Sequence, residues 1–190
     1  MERNSRIWPS WSAIGAYCAV MALALVQAPP ARADTLLELG QIGYSTRVPS
    51  SWQAQSPSNS FRLAQFLVHG PDGDANCIFF YFGAGQGGSA DANLQRWQSQ
   101  FRAADGGPVQ PSVEHFALGG IPVTVLELAG EYSRGVGMGP ADAPNAEQIM
   151  RAAIVETPQG NLIIQLYGPR AAVSATRAGF DAMVQALHPD

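Results

Sequence analysis

The sequence predicts an α+β fold: a mainly antiparallel sheet with two principal helices packed on it. Three observations predict it. Apolar strand patterns come in pairs joined by short turns; only two stretches carry a helical stripe; and those stretches do not alternate with single strands as a parallel α/β sheet requires. Of 190 residues, 46% are hydrophobic and 14% charged, ordinary values for a chain that packs one core.

The chain opens on a leader pattern. Arg3 and Arg6 make a positive start, and apolar residues then run from Ala13 to Val26, about fourteen where a spanning helix needs ~20. Pro29 and Pro30 break the run, and Ala31-Arg32-Ala33 is the small-x-small pattern that signal peptidase accepts. The expectation is cleavage between Ala33 and Asp34. Residues 1–33 are then a signal peptide, 34–190 a single α+β domain, and the product periplasmic or secreted, with no stable membrane anchor after cleavage. Tyr17 puts a bulky ring where a lipobox takes Gly or Ala, which argues against lipidation at Cys18. Cleavage removes Cys18 and leaves Cys77 alone, so the mature domain has no internal disulfide. Cys77 sits in Cys-Ile-Phe-Phe-Tyr-Phe, the setting of a buried hydrophobe rather than of a reactive thiol.

The charge narrows the partners. All 11 basic residues are Arg, against 15 acids; without Arg3, Arg6, Arg32 and Glu2 there remain 8 and 14, a net of −6. Nucleic acid and anionic membrane surfaces are poor partners for such a domain.

Strands are read in pairs. Phe61 to Val68 turns at Gly70-Pro71-Asp72-Gly73 into Asn76 to Phe82. The second of these is apolar at both parities, with Cys77, Phe79 and Tyr81 on one side and Ile78, Phe80 and Phe82 on the other. It is expected to be central and covered on both faces. Val113 to Leu118 and Ile121 to Tyr132 are joined by Gly119-Gly120, a dipeptide that accepts positive φ. Arg151 to Glu156 and Leu162 to Tyr167 are joined around Pro158-Gln159-Gly160-Asn161. The first helix is expected from Asp91, as N-cap, to Ala104, with Leu94, Trp97 and Phe101 on one stripe and Gly106-Gly107 as its stop. The second runs from Pro169 to Leu187, burying Val173, Phe180, Met183, Val184 and Leu187.

Gly83-Ala84-Gly85-Gln86-Gly87-Gly88 matches G-x-G-x-x-G between a strand and a helix, the arrangement that lets a backbone approach a pyrophosphate. A dinucleotide site also needs a parallel strand after the helix, ending in an acid about 20 positions on that holds the ribose. Here that distance reaches Asp105 and Gly106 in a loop, ahead of a Gly-Gly hairpin. The glycines therefore read as a crossing from strand to helix, with anion capture by Gly85 and Gly88 amides as the alternative. His69, His115 and His188 form no metal spacing, and no G-x-S-x-G nucleophile elbow is present. Asp72-Gly73-Asp74 offers two carboxylates to Ca²⁺, far short of six to eight ligands, and reads as a turn. No cofactor is expected. Two surface features remain as candidate partner or ligand contacts: the loop from Ser133 to Glu147, carrying Arg134 and Met138 among glycines, and the polar face of the first helix around Arg96.

Tyr44 to Trp52 (Tyr-Ser-Thr-Arg-Val-Pro-Ser-Ser-Trp) resembles the opening strand, Pro, short turn and Trp of the superfamily that contains the photosystem extrinsic protein PsbP and the Ran-binding factor Mog. The following order is also similar: a strand pair, a helix, two hairpins and a closing helix ending Phe180-Asp181-Ala182-Met183-Val184-Gln185-Ala186-Leu187. Asn93 to Phe101, with Arg96-Trp97, resembles exported bacterial proteins of the same plan. The resemblance covers most of residues 36 to 188 and implies an α/β/α sandwich acting mainly as a binding module. No metal, Ran-contact or photosystem-docking residue of the superfamily matches a position here, so no site residue is carried over. The combined expectation is an exported, non-catalytic binding or accessory protein of the bacterial cell envelope, with an envelope protein or small ligand as partner. The alternatives are an anion- or nucleotide-binding protein or enzyme using Gly83 to Gly88, and a small structural subunit of an envelope assembly.

Overall fold

The computed structural model describes residues 33–132 and 145–190, all within one compact unit, Arg32–Asp190. The elements, in chain order, are β1 (Thr35–Leu39), β2 (Tyr44–Val48), β3 (Gln53–Gln55), β4 (Arg62–Val68), β5 (Ala75–Tyr81), α1 (Ala90–Gln98), β6 (Phe101–Arg102), β7 (Ser112–Leu118), β8 (Ile121–Tyr132), β9 (Asn145–Thr157), β10 (Gly160–Pro169), α2 (Arg170–Gln185) and β11 (His188–Pro189). Eight strands form one sheet in the order β3-β4-β5-β10-β9-β8-β6, with β7 also paired to β8. A small sheet, β1-β2-β11, stands apart from it. Among the described residues all pairings are antiparallel.

The double apolar parity of β5 has the expected result. β5 lies between β4 and β10, with Cys77 and Phe79 in one core and Ile78 and Phe80 in the other. The first core is closed by α2 and the small sheet through Val173, Phe180, Met183, Val184, Tyr44 and Val48. The second is closed by α1 through Trp97, together with Phe101 and Val109. Layers on both faces of one antiparallel sheet make the α+β sandwich that strand pairing and helix count predict.

Four local expectations need correction. Ser89, not Asp91, caps α1: its Oγ accepts the Ala92 N–H at 3.2 Å, and Asp91 instead sits in the first turn, where a carboxylate favours the helix dipole. The helix also ends at Gln98 rather than Ala104. Phe101 is buried as its periodicity predicts, but from β6, opposite Tyr132, with the two ring centroids 4.8 Å apart. Gly130 makes that pairing sterically feasible, because a Cβ there would collide with the Arg102 carbonyl oxygen. Finally, β9 starts at Asn145, so the last three residues expected in the long loop are strand; 133–144 lie outside the described residues.

α2 begins without a side-chain cap: Pro169 stands at its N-cap in extended conformation, just ahead of the first turn. Thr46, buried in β2, donates its hydroxyl to the Met183 carbonyl, fastening the small sheet to α2. No helix among the described residues is long and apolar enough to cross a membrane.

Candidate functional site

The densest chemistry lies where α2 crosses β7, β8 and β9. Register places Glu127 of β8 directly opposite Arg151 of β9, and Glu114 of β7 opposite Val125 of β8. On α2, Arg177 and Asp181 are four residues apart and therefore on one face. Arg151 is 3% exposed. Its Nε donates to Asp181 Oδ1 at 2.6 Å, its Nη1 to Glu127 Oε2 at 3.4 Å, and its Nη2 lies 3.6 Å from Glu114 Oε1. Arg177, half exposed, reaches the same two glutamates, 3.4 Å to Glu127 and 3.7 Å to Glu114.

Burial works against the Arg151 charge. The hydrogen bond and charge of Asp181, then the charges of Glu114 and Glu127, outweigh that penalty and hold the guanidinium proton more tightly than in a free arginine. A buried charge is tolerated only when paired in this way. Over the cluster opens a recess of about 50 Å³ lined by Glu114, Phe116, Val125, Arg151, Asp181, Val184 and Gln185. Sites for small molecules run to roughly 300–1,000 Å³; this recess admits the tip of one side chain.

The residues singled out in the sequence lie elsewhere. Gly83, Gly85, Gly87 and Gly88 have φ of +99°, +70°, +88° and +77°, so each uses the conformational freedom of glycine. They make a closed corner. Asn93, buried at the start of α1, donates from Nδ2 to the Gly87 carbonyl at 2.7 Å and to the Ser89 carbonyl at 2.9 Å, and Asn161 donates to the Gly88 carbonyl at 2.8 Å. Because both neighbours of β5 are antiparallel, the crevice between diverging parallel strands that a dinucleotide site uses has no counterpart here. Beside this corner Phe61, half exposed, stacks on Phe82 with centroids 5.4 Å apart, and Phe82 on Phe80 at 6.0 Å.

Arg96 is exposed on α1, with its guanidinium on Asn93 Oδ1 and 5.8 Å from the Trp97 ring. It and the glycine corner share Asn93; neither is near the Arg151 cluster in the fold, since α1 and α2 serve different cores. Arg134 and Met138 lie outside the described residues. Ala33 and Asp34 are exposed and precede β1 directly. Asp72 holds a turn at φ +62°, while Asp74 Oδ1 lies 2.9 Å from His69 Nδ1; among the described residues no group of three or more His, Cys, Asp or Glu is arranged to hold a metal. Cys77 is fully buried, and burial pushes its thiol well above the ordinary value.

Sequence reasoning missed the Arg151 cluster because its members come from four separated elements. One signal was present: Arg151 shares strand parity with Ala153 and Val155, so a charge points at a core face.

The sequence matches no family model and no curated relative. Solved structures are similar in fold. Cyanobacterial PsbP (CyanoP) from Synechocystis superposes with a TM-score of 0.55 at 14% identity, covering 87% of this chain and 99% of that one. The Ran-binding protein Mog1p of Saccharomyces cerevisiae gives 0.46 at 9% identity over 82% and 95% of the two chains. LpqN of Mycobacterium tuberculosis, involved in cell envelope biogenesis, gives 0.42 at 17% over 80% and 86%. With its antiparallel sheet between α1 on one face and α2 on the other, this chain has the PsbP-like fold.

Proposed function

We propose that this is an exported, non-catalytic binding or accessory protein of the bacterial cell envelope, with residues 1–33 removed as a leader and 34–190 acting as one domain. The observation that carries the reading is the ionic recess around Arg151. Its guanidinium is held by carboxylates on three elements, which leaves it no freedom to activate a substrate, while the rim carboxylate of Glu114 is half exposed and reached only at 3.6 and 3.7 Å. Charge displayed on a rigid frame over a shallow recess suits recognition of a partner's side chain. The exposed Ala33-Asp34 junction ahead of β1 supports the leader reading, since a peptidase needs an accessible backbone.

The test is expression in a bacterial host with fractionation and N-terminal sequencing, followed by photo-crosslinking in the envelope. An N-terminus at Asp34 in the exported fraction and a discrete protein adduct are expected. Retention in the cytoplasm with an intact leader, or no adduct from any surface position, overturns the reading.

A further inference from the structure

The two ends of the large sheet are finished differently. At one end β3 is three residues long, and the β4 register slips between Arg62 and Ala64; short edge strands and bulges discourage further pairing. At the other end β7 runs seven residues, Ser112–Leu118, in unbroken register with Glu127 to Ile121 of β8. It holds no proline, and among the described residues no backbone group of another segment bonds its outer side. That leaves about 23 Å of strand whose outward amides and carbonyls have no backbone partner among the described residues.

The side chains along this edge carry a charge bias. Ser112, Glu114, Phe116 and Leu118 alternate onto the face that α2 covers. Glu114 is 54% exposed, and its contacts to Arg151 and Arg177 are longer than hydrogen bonds. Three carboxylates and two guanidiniums leave the cluster at net −1, in a chain of net −4.

We propose that β7 is a docking edge for an extended basic segment of a partner protein, which adds as a further strand of the large sheet and sets an Arg or Lys opposite Glu114. Residues opposed across paired strands have Cβ atoms about 4.5–5.5 Å apart, within reach of a long basic side chain. Alternation then places the residue two positions along against Phe116, so the segment reads apolar-x-basic when it adds antiparallel and basic-x-apolar when it adds parallel. Backbone pairing supplies affinity and the alternate side chains supply selection, as in strand addition generally. A second copy of this chain would bring the same acidic edge and the same net negative charge, so charge complementarity selects a basic partner instead. The inference rests on the accessory reading above and gives the chemistry of its partner.

The test titrates two synthetic peptides into the ¹⁵N-labelled protein: an alternating Thr/Val segment with a central Arg, and the same segment with a central Glu. Saturable amide shifts confined to β7 and its neighbours are expected with the Arg peptide, and binding about tenfold weaker with the Glu peptide. Glu114→Arg reverses that order, and Glu114→Gln removes most of the difference. Absence of binding, shifts elsewhere, or an order that Glu114→Arg leaves unchanged overturns the proposal. So do outward-pointing β7 amides, those not bonded to β8, that are already protected from exchange in the free protein, or a concentration-dependent dimer joined at β7. A photo-crosslinker at position 113 separates the two levels of inference. Adducts at other surface positions but not at 113 refute the β7 edge alone; no adduct anywhere refutes the accessory reading with it.

Discussion

Trp52 Nε1 donates to Thr176 Oγ1 at 3.0 Å, joining the turn after β2 to the middle of α2. The indole is 7% exposed and its ring lies 6.3 Å from that of Phe66. One side chain therefore satisfies a buried donor and fills the core between the small sheet and the large one. Trp52→Phe keeps most of the area and loses the bond, an expected cost of about 1 kcal/mol. Trp52→Ala also opens a cavity and is expected to cost about 3–5 kcal/mol. Urea unfolding with m unchanged checks both.

Arg151 contributes to the ion network both as a charge and as buried volume, and the two parts can be separated. Arg151→Ala leaves Asp181 and Glu127 facing a void and is expected to destabilise by roughly 3–5 kcal/mol. Arg151→Met refills the volume but leaves the same carboxylates without their guanidinium, so it is expected to recover only the packing part of that loss, about 1 kcal/mol. Asp181→Asn retains an acceptor for Nε and costs about 1 kcal/mol. Chemical denaturation of the three variants gives the ranking, and a Met variant as unstable as the Ala variant contradicts it.

Cys77 makes a prediction in pH. Burial holds the folded thiol well above its ordinary value of 9.0, whereas the unfolded chain releases that proton near the ordinary value. Above about 9 the folded state therefore holds more protons than the unfolded one, and stability falls as pH rises. Below that value the thiol contributes no pH dependence. Cys77→Ala is expected to flatten the alkaline decline attributable to this group in melting curves from pH 8 to 10. In the folded protein at pH 8, Cys77 is expected to resist iodoacetamide until denaturant is added.

Gly85 has φ +70°, and no neighbouring heavy atom lies within 4 Å of where a Cβ would stand. Gly85→Val is thus a test of backbone strain without a clash, expected to cost about 1–2 kcal/mol and to lower Tm by roughly 2–8 °C. Phosphate, nucleotides and Ca²⁺ are expected to leave Tm unchanged in both proteins. A saturable upward shift in wild type that Gly85→Val abolishes would assign ligand binding to the glycine corner.

What the sequence made legible follows from period and turn chemistry. β5 could be read as central because Cys77 and Phe79 on one parity, and Ile78 and Phe80 on the other, are all apolar. The Gly119-Gly120 hairpin could be read because positive φ at both positions, +57° and +89°, is a local demand. The end of α1 could not. Phe101 continues the helical stripe of Leu94 and Trp97, and burial in the same core is satisfied equally by a strand. What decides is the pairing with Tyr132 and the close approach allowed by Gly130, about thirty residues away. The ionic recess was hidden for the same reason: Glu114, Glu127, Arg151 and Asp181 are ordinary in their own segments, and only sheet register and the path of α2 assemble them.

Tyr132 and Asn145 are partners across β8 and β9, so the chain leaves the sheet and re-enters it at one rung. Chain added between two residues held at one rung costs an entropy that grows only logarithmically with its length. A foreign epitope or a small reporter domain spliced between those two anchors should be carried by the folded sandwich, giving a handle for locating the protein in cells.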